Sequence, residues 1–140
     1  MPDRPPAILS PEARDFLSAE RFAVVATVGA DGCPHQAVVW YALDGDVLVL
    51  NSAEGRRWPA DLRRHPRASV MVEDGYRYVG VAGAVAIDDD QETAQADIAA
   101  MARRYHAADP AEAERLIEEQ FCRQHRITFR LRPEVVHQDL

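Results

Sequence analysis

The sequence predicts one mainly β domain, closed into a barrel and flanked by helices, and three observations carry that expectation. Short apolar segments rich in β-branched residues recur between tight turns built from Gly and Asp. Two of them, at residues 38–39 and 47–50, have apolar neighbours facing both ways, as strands do when both faces are covered. A chain of 140 residues, 47% hydrophobic and 28% charged, suits a single core spanning residues 1–140.

Ser10 and Pro11 open a first helix, the serine as cap and the proline at the first helical position. It should run to about residue 20 and bury Ala13, Phe16 and Leu17. Residues 22–28 form a strand, 29–32 (Gly-Ala-Asp-Gly) supply turn chemistry, and 34–41 resume an extended pattern, which makes a hairpin. Asp44 and Gly45 turn the chain again into a strand over 46–52. Double-sided burial of these strands fits a closed barrel covered by helices or by a second copy of the chain.

A helix is expected within residues 55–65, stopped by Pro66, with Pro59 tolerable only in its first turn. Strands over 68–73 and 76–87 follow, joined at Asp74 and Gly75, with Gly80 and Gly83 marking bends or close approaches. Asp88, Asp89 and Asp90 open a helix to about Tyr105, where carboxylates favour the dipole, and Ala94, Ile98 and Met101 fall at helical spacing. Another helix spans 110–123, with Ala113, Leu116, Ile117 and Phe121 near one face. The last strand, about 125–131, alternates Ile127, Phe129 and Leu131 with Arg126, Thr128 and Arg130, the pattern of a half-exposed edge.

Composition narrows the function. No apolar run approaches the roughly 20 residues of a membrane span, and residues 1–6 carry charge and proline rather than an apolar signal core, so a cytoplasmic protein is expected. Cys33 and Cys122 have no CxxC spacing and read as free buried thiols. The five histidines show neither HxH nor HxxxH spacing, so no metal site is expected. All sixteen basic residues are arginine, which removes any lysine Schiff base or P-loop lysine. A net charge of -7 argues against general affinity for nucleic acid, although an arginine-helix binder remains an alternative for residues 56–67.

That cluster is the most informative stretch. In NSAEGRRWPADLRRHPR, residues 51–67, five arginines fall within the twelve residues 56–67, opposed there only by Asp61. A strand ending in Asn51 and Ser52, a turn at Gly55 and a helix start would aim backbone N–H groups and the helix dipole at one point, with Arg56 and Arg57 beside it. This describes a phosphate site; it equally describes a solvated helix whose arginines pair with surface acids, as Arg63, Arg64 and Arg67 are expected to do. Trp58 would pack on a flat ligand or anchor the core. Trp40 and Tyr41 face opposite ways, while Tyr76 and Tyr78 share a face; together these aromatics point to a planar ligand.

The order of segments, from the ADGCP turn through VVWY, DGDVLVLNS, EGRRWPADLRRHPRAS and YRYVGVAG to RLRPEVV, resembles the pyridoxamine 5′-phosphate oxidase-like split-barrel family over residues 16–136. It is most similar to the branch that uses the deazaflavin coenzyme F-420 (8-hydroxy-5-deazaflavin). The resemblance implies a six-stranded split β-barrel of the FMN-binding type, a homodimer formed through the sheet, and two cofactor sites at the interface. By position it assigns the phosphate turn to Arg56, Arg57 and Trp58, and the ring and tail to Val38, Trp40, Asn51 and Ser52; Tyr76 and Tyr78 would reach across from the second subunit. Several relatives carry lysine where Trp58 stands, which moves phosphate binding toward Arg57, and residues 107–124 form an acidic helix where many have a short loop.

The activity implied is hydride transfer between the deazaflavin and a small unsaturated or quinone-like substrate. No general acid is assigned, with Tyr41 or solvent as the proton source. An FMN enzyme on the same fold, or a non-catalytic carrier that binds the coenzyme without turnover, are the alternatives.

Overall fold

The computed structural model describes residues 4–140, so the expectation of a charged, proline-containing start lies partly outside the described residues, at 1–3. The elements are α1 (Pro11–Ser18), β1 (Ala23–Val28), β2 (Pro34–Val39), β3 (Ala42–Asp44), β4 (Val47–Ala53), α2 (Arg57–Arg64), β5 (Arg67–Asp74), β6 (Arg77–Asp88), α3 (Gln91–Tyr105), α4 (Pro110–Glu119), a 3-10 turn (Phe121–Arg123) and β7 (Arg126–Asp139). All strand pairs are antiparallel and form one sheet in the order β2-β1-β5-β6-β7-β4-β3.

The two edges of that sheet are consecutive in sequence. Only Trp40 and Tyr41 separate β2 from β3, a reach of about 10 Å, so the sheet curls until its edges approach. No ladder joins them. The result is a barrel split along one seam, with seven strands where a closed or six-stranded barrel was expected. The extra strand arises because the run over 34–41 breaks at Tyr41, whose side chain turns fully inward and donates from its hydroxyl to the carbonyls of Leu17 (2.8 Å) and Ala19 (3.1 Å). Arg104 donates to the carbonyls of Ser18 and Ala19 as well, so the orphan end of α1 is capped and the helix stops at Ser18.

The core lies in two layers. Within the curl, Val25, Val70, Val72, Leu48, Leu50, Phe129 and Leu131 pack with Phe16 and Leu17 of α1 and with Trp58 and Leu62 of α2. Under the α3–α4 hairpin, Val49 packs with Ile98, Met101, Ala113 and Phe121. Strand β4 is therefore covered on both faces, as its apolar run requires. Strand β2 is not, since Val39 is buried but Val38 is 70% exposed.

Three further expectations are corrected. The last strand is no edge: β7 runs between β6 and β4, and Arg126 and Thr128, which alternate with its apolar residues, are buried. Long-range pairing decides this, and local alternation does not report it. The helix expected over 110–123 ends at Glu119, and Cys33 and Cys122 are both exposed.

Gly83 shows how tightly the long hairpin is drawn. At the bulge between Ala82 and Gly83, a Cβ on residue 83 would lie 2.0 Å from the Arg132 carbonyl oxygen. Gly83→Ala should thus destabilise the protein by about 1 to 3 kcal/mol, read as a lower urea midpoint. An unchanged midpoint would refute the close approach.

Candidate functional site

Where the α3–α4 hairpin leans over the ends of β2, β4 and β7, it leaves a cleft of about 330 Å³. Phe22, Val38, Trp40, Leu116 and Phe121 give it apolar walls, and Asn51, Arg56 and Arg126 its polar groups. Trp40 is held in place by stacking on Tyr105, with ring centroids 5.1 Å apart and planes 10° from parallel.

The register between β4 and β7 pairs Asn51 with Thr128 and Ala53 with Arg126, which sets these polar side chains on the sheet face beneath α3. The Asn51 amide is fixed from both ends. Its Nδ2 donates to the Ala94 carbonyl of α3 (2.9 Å) and to Thr128 Oγ1 (3.3 Å), and its Oδ1 accepts from Arg126 Nε (3.0 Å). Thr128 in turn donates to Asp97 Oδ2 at 2.7 Å.

Arg126 is the unusual member. It is 4% exposed, donates to Gln124 Oε1 at 2.7 Å, and lies over the Phe121 ring at 4.9 Å, yet it forms no ion pair with any carboxylate among the described residues. Burial, with the nearby Arg56 charge adding to it, pushes its pKa down to about 10. It remains cationic at neutral pH, and its charge is unanswered.

Arg56 and Arg57 stand at the start of α2, after a turn in which Gly55 takes a φ of 98°. Both are exposed, neither has a side-chain partner among the described residues, and no acidic residue occupies the first turn of α2. The other three arginines of the cluster behave differently. Arg63 pairs with Asp89 (2.6 Å) and Glu54 (2.9 Å), Arg64 with Asp61 (2.7 Å), and Arg67 with Glu134 (3.0 Å). Glu54, Asp89 and His125 are close enough to one another to hold a cation, but they are exposed and the Arg63 guanidinium already lies on both carboxylates.

Asp61, 1% exposed, is what fixes α2 against the sheet. Its carboxylate accepts from Thr27 Oγ1 of β1 (2.8 Å) and from Arg64, and bonds His35 Nδ1 of β2 at 2.7 Å. Burial opposes the charge on Asp61, but the His35 and Thr27 hydrogen bonds and the His35 and Arg64 charges outweigh it, and the carboxyl titrates below its ordinary range. His35, Asp61 and Arg64 border a second, shallow cleft that also takes in Arg56 and Arg57. Arg56 lines both clefts and so joins the aromatic one to the polar one.

Of the residues expected at the site, Val38, Trp40, Asn51, Arg56 and Trp58 meet at the first cleft, although most of Trp58 packs in the core, 4.9 Å from the Phe129 ring. Arg57 lines only the shallow cleft. Ser52 faces away from α3, buried, with its hydroxyl donating to the Ala53 carbonyl at 3.2 Å. Tyr76, 97% exposed, sits in the turn before β6 rather than in the strand, and it and Tyr78 lie outside both clefts. Tyr41, one of the two proton sources considered, faces the core, where burial raises its pKa, and it does not reach the cleft. Sequence reasoning missed Arg126, Phe22 and the α4 wall. The available signal was Arg126 alternating with an apolar strand face, which reads as solvent-facing until α3 is seen to cover it.

A family model described as pyridoxamine 5′-phosphate oxidase matches residues 9–138. The chain belongs to that family, one that includes oxidoreductases. Among solved structures it is similar to the conserved hypothetical protein Rv2991 from Mycobacterium tuberculosis, at 25% identity and a TM-score of 0.76, covering 97% of this chain and 88% of that one. It is similar also to an F420 reductase, at 24% identity and a TM-score of 0.74, covering 94% and 100% of the two chains. The heme storage protein HutZ from Vibrio cholerae shares the fold at 18% identity and a TM-score of 0.65, covering 94% and 95%. No helix among the described residues is long and apolar enough to cross a membrane.

The Asp61 network makes a prediction with a definite sign. A carboxyl whose native pKa lies below its unfolded value, about 3.9, contributes stability that is present above that value and fades as pH falls through the native one. Asp61→Asn should therefore cost about 1 to 3 kcal/mol at pH 7, with the gap to wild type narrowing below about pH 4. A gap in the denaturation midpoint that stays constant through the acid range would contradict the assignment.

Proposed function

We propose that the protein is an oxidoreductase that binds a deazaflavin of the F-420 type and passes hydride between it and a small unsaturated substrate. The observation that carries this reading is the set of guanidiniums left without acid partners beside a fixed aromatic wall. In a chain where Arg63, Arg64 and Arg67 all find carboxylates, Arg56, Arg57 and Arg126 do not. Such groups suit a ligand that brings its own negative charge together with a flat body. The similarity to a structure solved as an F420 reductase supports the choice of coenzyme; FMN, on the same residues, is the second reading, supported by the family.

When bound, the reduced coenzyme supplies a hydride. The rest falls to the chain. Arg57 and the free N–H groups of the first turn of α2 would hold the phosphate of the tail, with Arg56 beside them, and Trp40 and Val38 would take the ring. Asn51, whose donors and acceptor are committed within the protein, orients Arg126 rather than touching the ligand. The α3–α4 hairpin keeps water from the inner wall. No side chain of the cleft is a positioned acid, which leaves solvent as the proton source.

The same reading makes the protein a homodimer. Across β2, β1, β5 and β6 the register sets Val38, Val24, Met71 and Gly80 in one row on the face away from the core, with Val38 and Met71 exposed. An apolar sheet face of this kind suits a second copy. Val38 also lines the cleft, so pairing through this face would bring two sites to the contact, where the partner subunit's Tyr76 and Tyr78 would have something to reach.

Arg57→Ala should weaken binding of the deazaflavin by about 1 to 3 kcal/mol, measured by absorbance titration, and the same titration with FMN ranks the two coenzymes. An unchanged affinity would remove Arg57 from the site. Val38→Asp should shift sedimentation toward the monomer and lose coenzyme binding with it; a variant that stays dimeric would place the contact elsewhere.

A further inference from the structure

We propose that the cleft under the α3–α4 hairpin takes a small conjugated carboxylic acid, its carboxylate gripped between Arg126 and Arg56. Describing that acid as the substrate rests on the coenzyme reading above; its binding does not.

Arg126 is nine-tenths buried or more and lines the cleft, and its guanidinium is anchored through Nε to Asn51 and through one terminal nitrogen to Gln124, while the other has no partner among the described residues. That leaves a fork whose outer donors suit one carboxylate. Arg56 lines the same cleft, close enough for its charge to count against Arg126, so the cleft holds two like charges that a single anion would reconcile. The coenzyme tail does not need Arg126, since the shallow cleft on the other side of Arg56 carries Arg57, which no acid among the described residues engages, for that purpose.

The rest of the cleft sets the body of the ligand. Phe22, Leu116 and Phe121 offer flat or apolar surface at the inner end, while Trp40, its plane locked by Tyr105, is left to the coenzyme ring. A volume of about 330 Å³ is near the lower end of ligand clefts and suits one ring with a short unsaturated arm. The walls from α4 and from the 3-10 turn after it make this subsite a feature of the acidic helical insert.

The test uses calorimetric titration of the coenzyme-free protein with trans-cinnamate and with methyl cinnamate, which has the same body without the charge. Cinnamate should bind once per chain and at least about tenfold tighter than the ester, as loss of a charged hydrogen-bond pair implies. Arg126→Met should erase the difference, and Arg126→Lys should restore part of it. Because a buried residue is being changed, Arg56→Ala serves as a second variant on an exposed position; it should lower cinnamate affinity several-fold and leave the ester unaffected. Equal affinity for acid and ester, no binding of either, or displacement of cinnamate by the coenzyme in competition would overturn the proposal. Should the coenzyme fail to bind while cinnamate keeps its advantage over the ester, the acid site stands and the coenzyme reading falls.

Discussion

A buried guanidinium without a carboxylate is costly, and the arrangement of the cleft follows from how that cost is met. Arg126 has its desolvation offset by neutral partners alone: the Asn51 amide, the Gln124 amide and the face of Phe121. Those partners come from β4, from the segment before β7, and from the turn after α4. Asn51 is itself held by the α3 backbone and by Thr128, which is held by Asp97. A chain of hydrogen bonds thus runs from α3 through two strands to one cation, and it keeps that cation in an apolar wall without neutralising it. A fold that needed only stability would have set an acid there, or an apolar residue of similar volume.

The Asp61 carboxylate plays the opposite part on the other side of Arg56. It is buried and fully answered by Thr27, His35 and Arg64, and it ties α2 to β1 and β2. This anchoring consumes Arg64, while Asp89, Glu54 and Glu134 consume Arg63 and Arg67. What remains of the arginine cluster is the pair at the start of α2, projected outward with the helix dipole behind it. The division between structural and available arginines is therefore set by where the acids stand.

Much of this was legible in the sequence, and the failures have physical causes. Ser10 as cap, the helix start at Asp88–Asp90, the Gly83 close approach and the double-sided burial of residues 47–50 follow from local chemistry and appear as read. The sorting of Arg63, Arg64 and Arg67 from Arg56 and Arg57 was also expected, because the turn at Gly55 sets the latter two at the helix start. What failed depended on pairing between distant segments. The strand over 125–131 alternates as an edge would, but lies third from one side of a curled sheet with α3 over it, so the alternation suggests a solvent face that Arg126 does not have. Tyr41 broke the second strand because its hydroxyl caps α1, a contact across 24 residues that no local pattern records. The cysteines, small and apolar by type, are exposed because each sits at a turn.

These observations share one claim: the guanidiniums that the two clefts leave without carboxylates, Arg56, Arg57 and Arg126, mark where a ligand's negative charges go. A crystal structure of the protein with the deazaflavin coenzyme tests it most directly. The account predicts the phosphate within hydrogen-bond distance of Arg57 and the ring against Trp40 at a two-fold contact between chains. A coenzyme bound elsewhere, with Arg56, Arg57 and Arg126 all turned to bulk solvent or to protein acids, would contradict it.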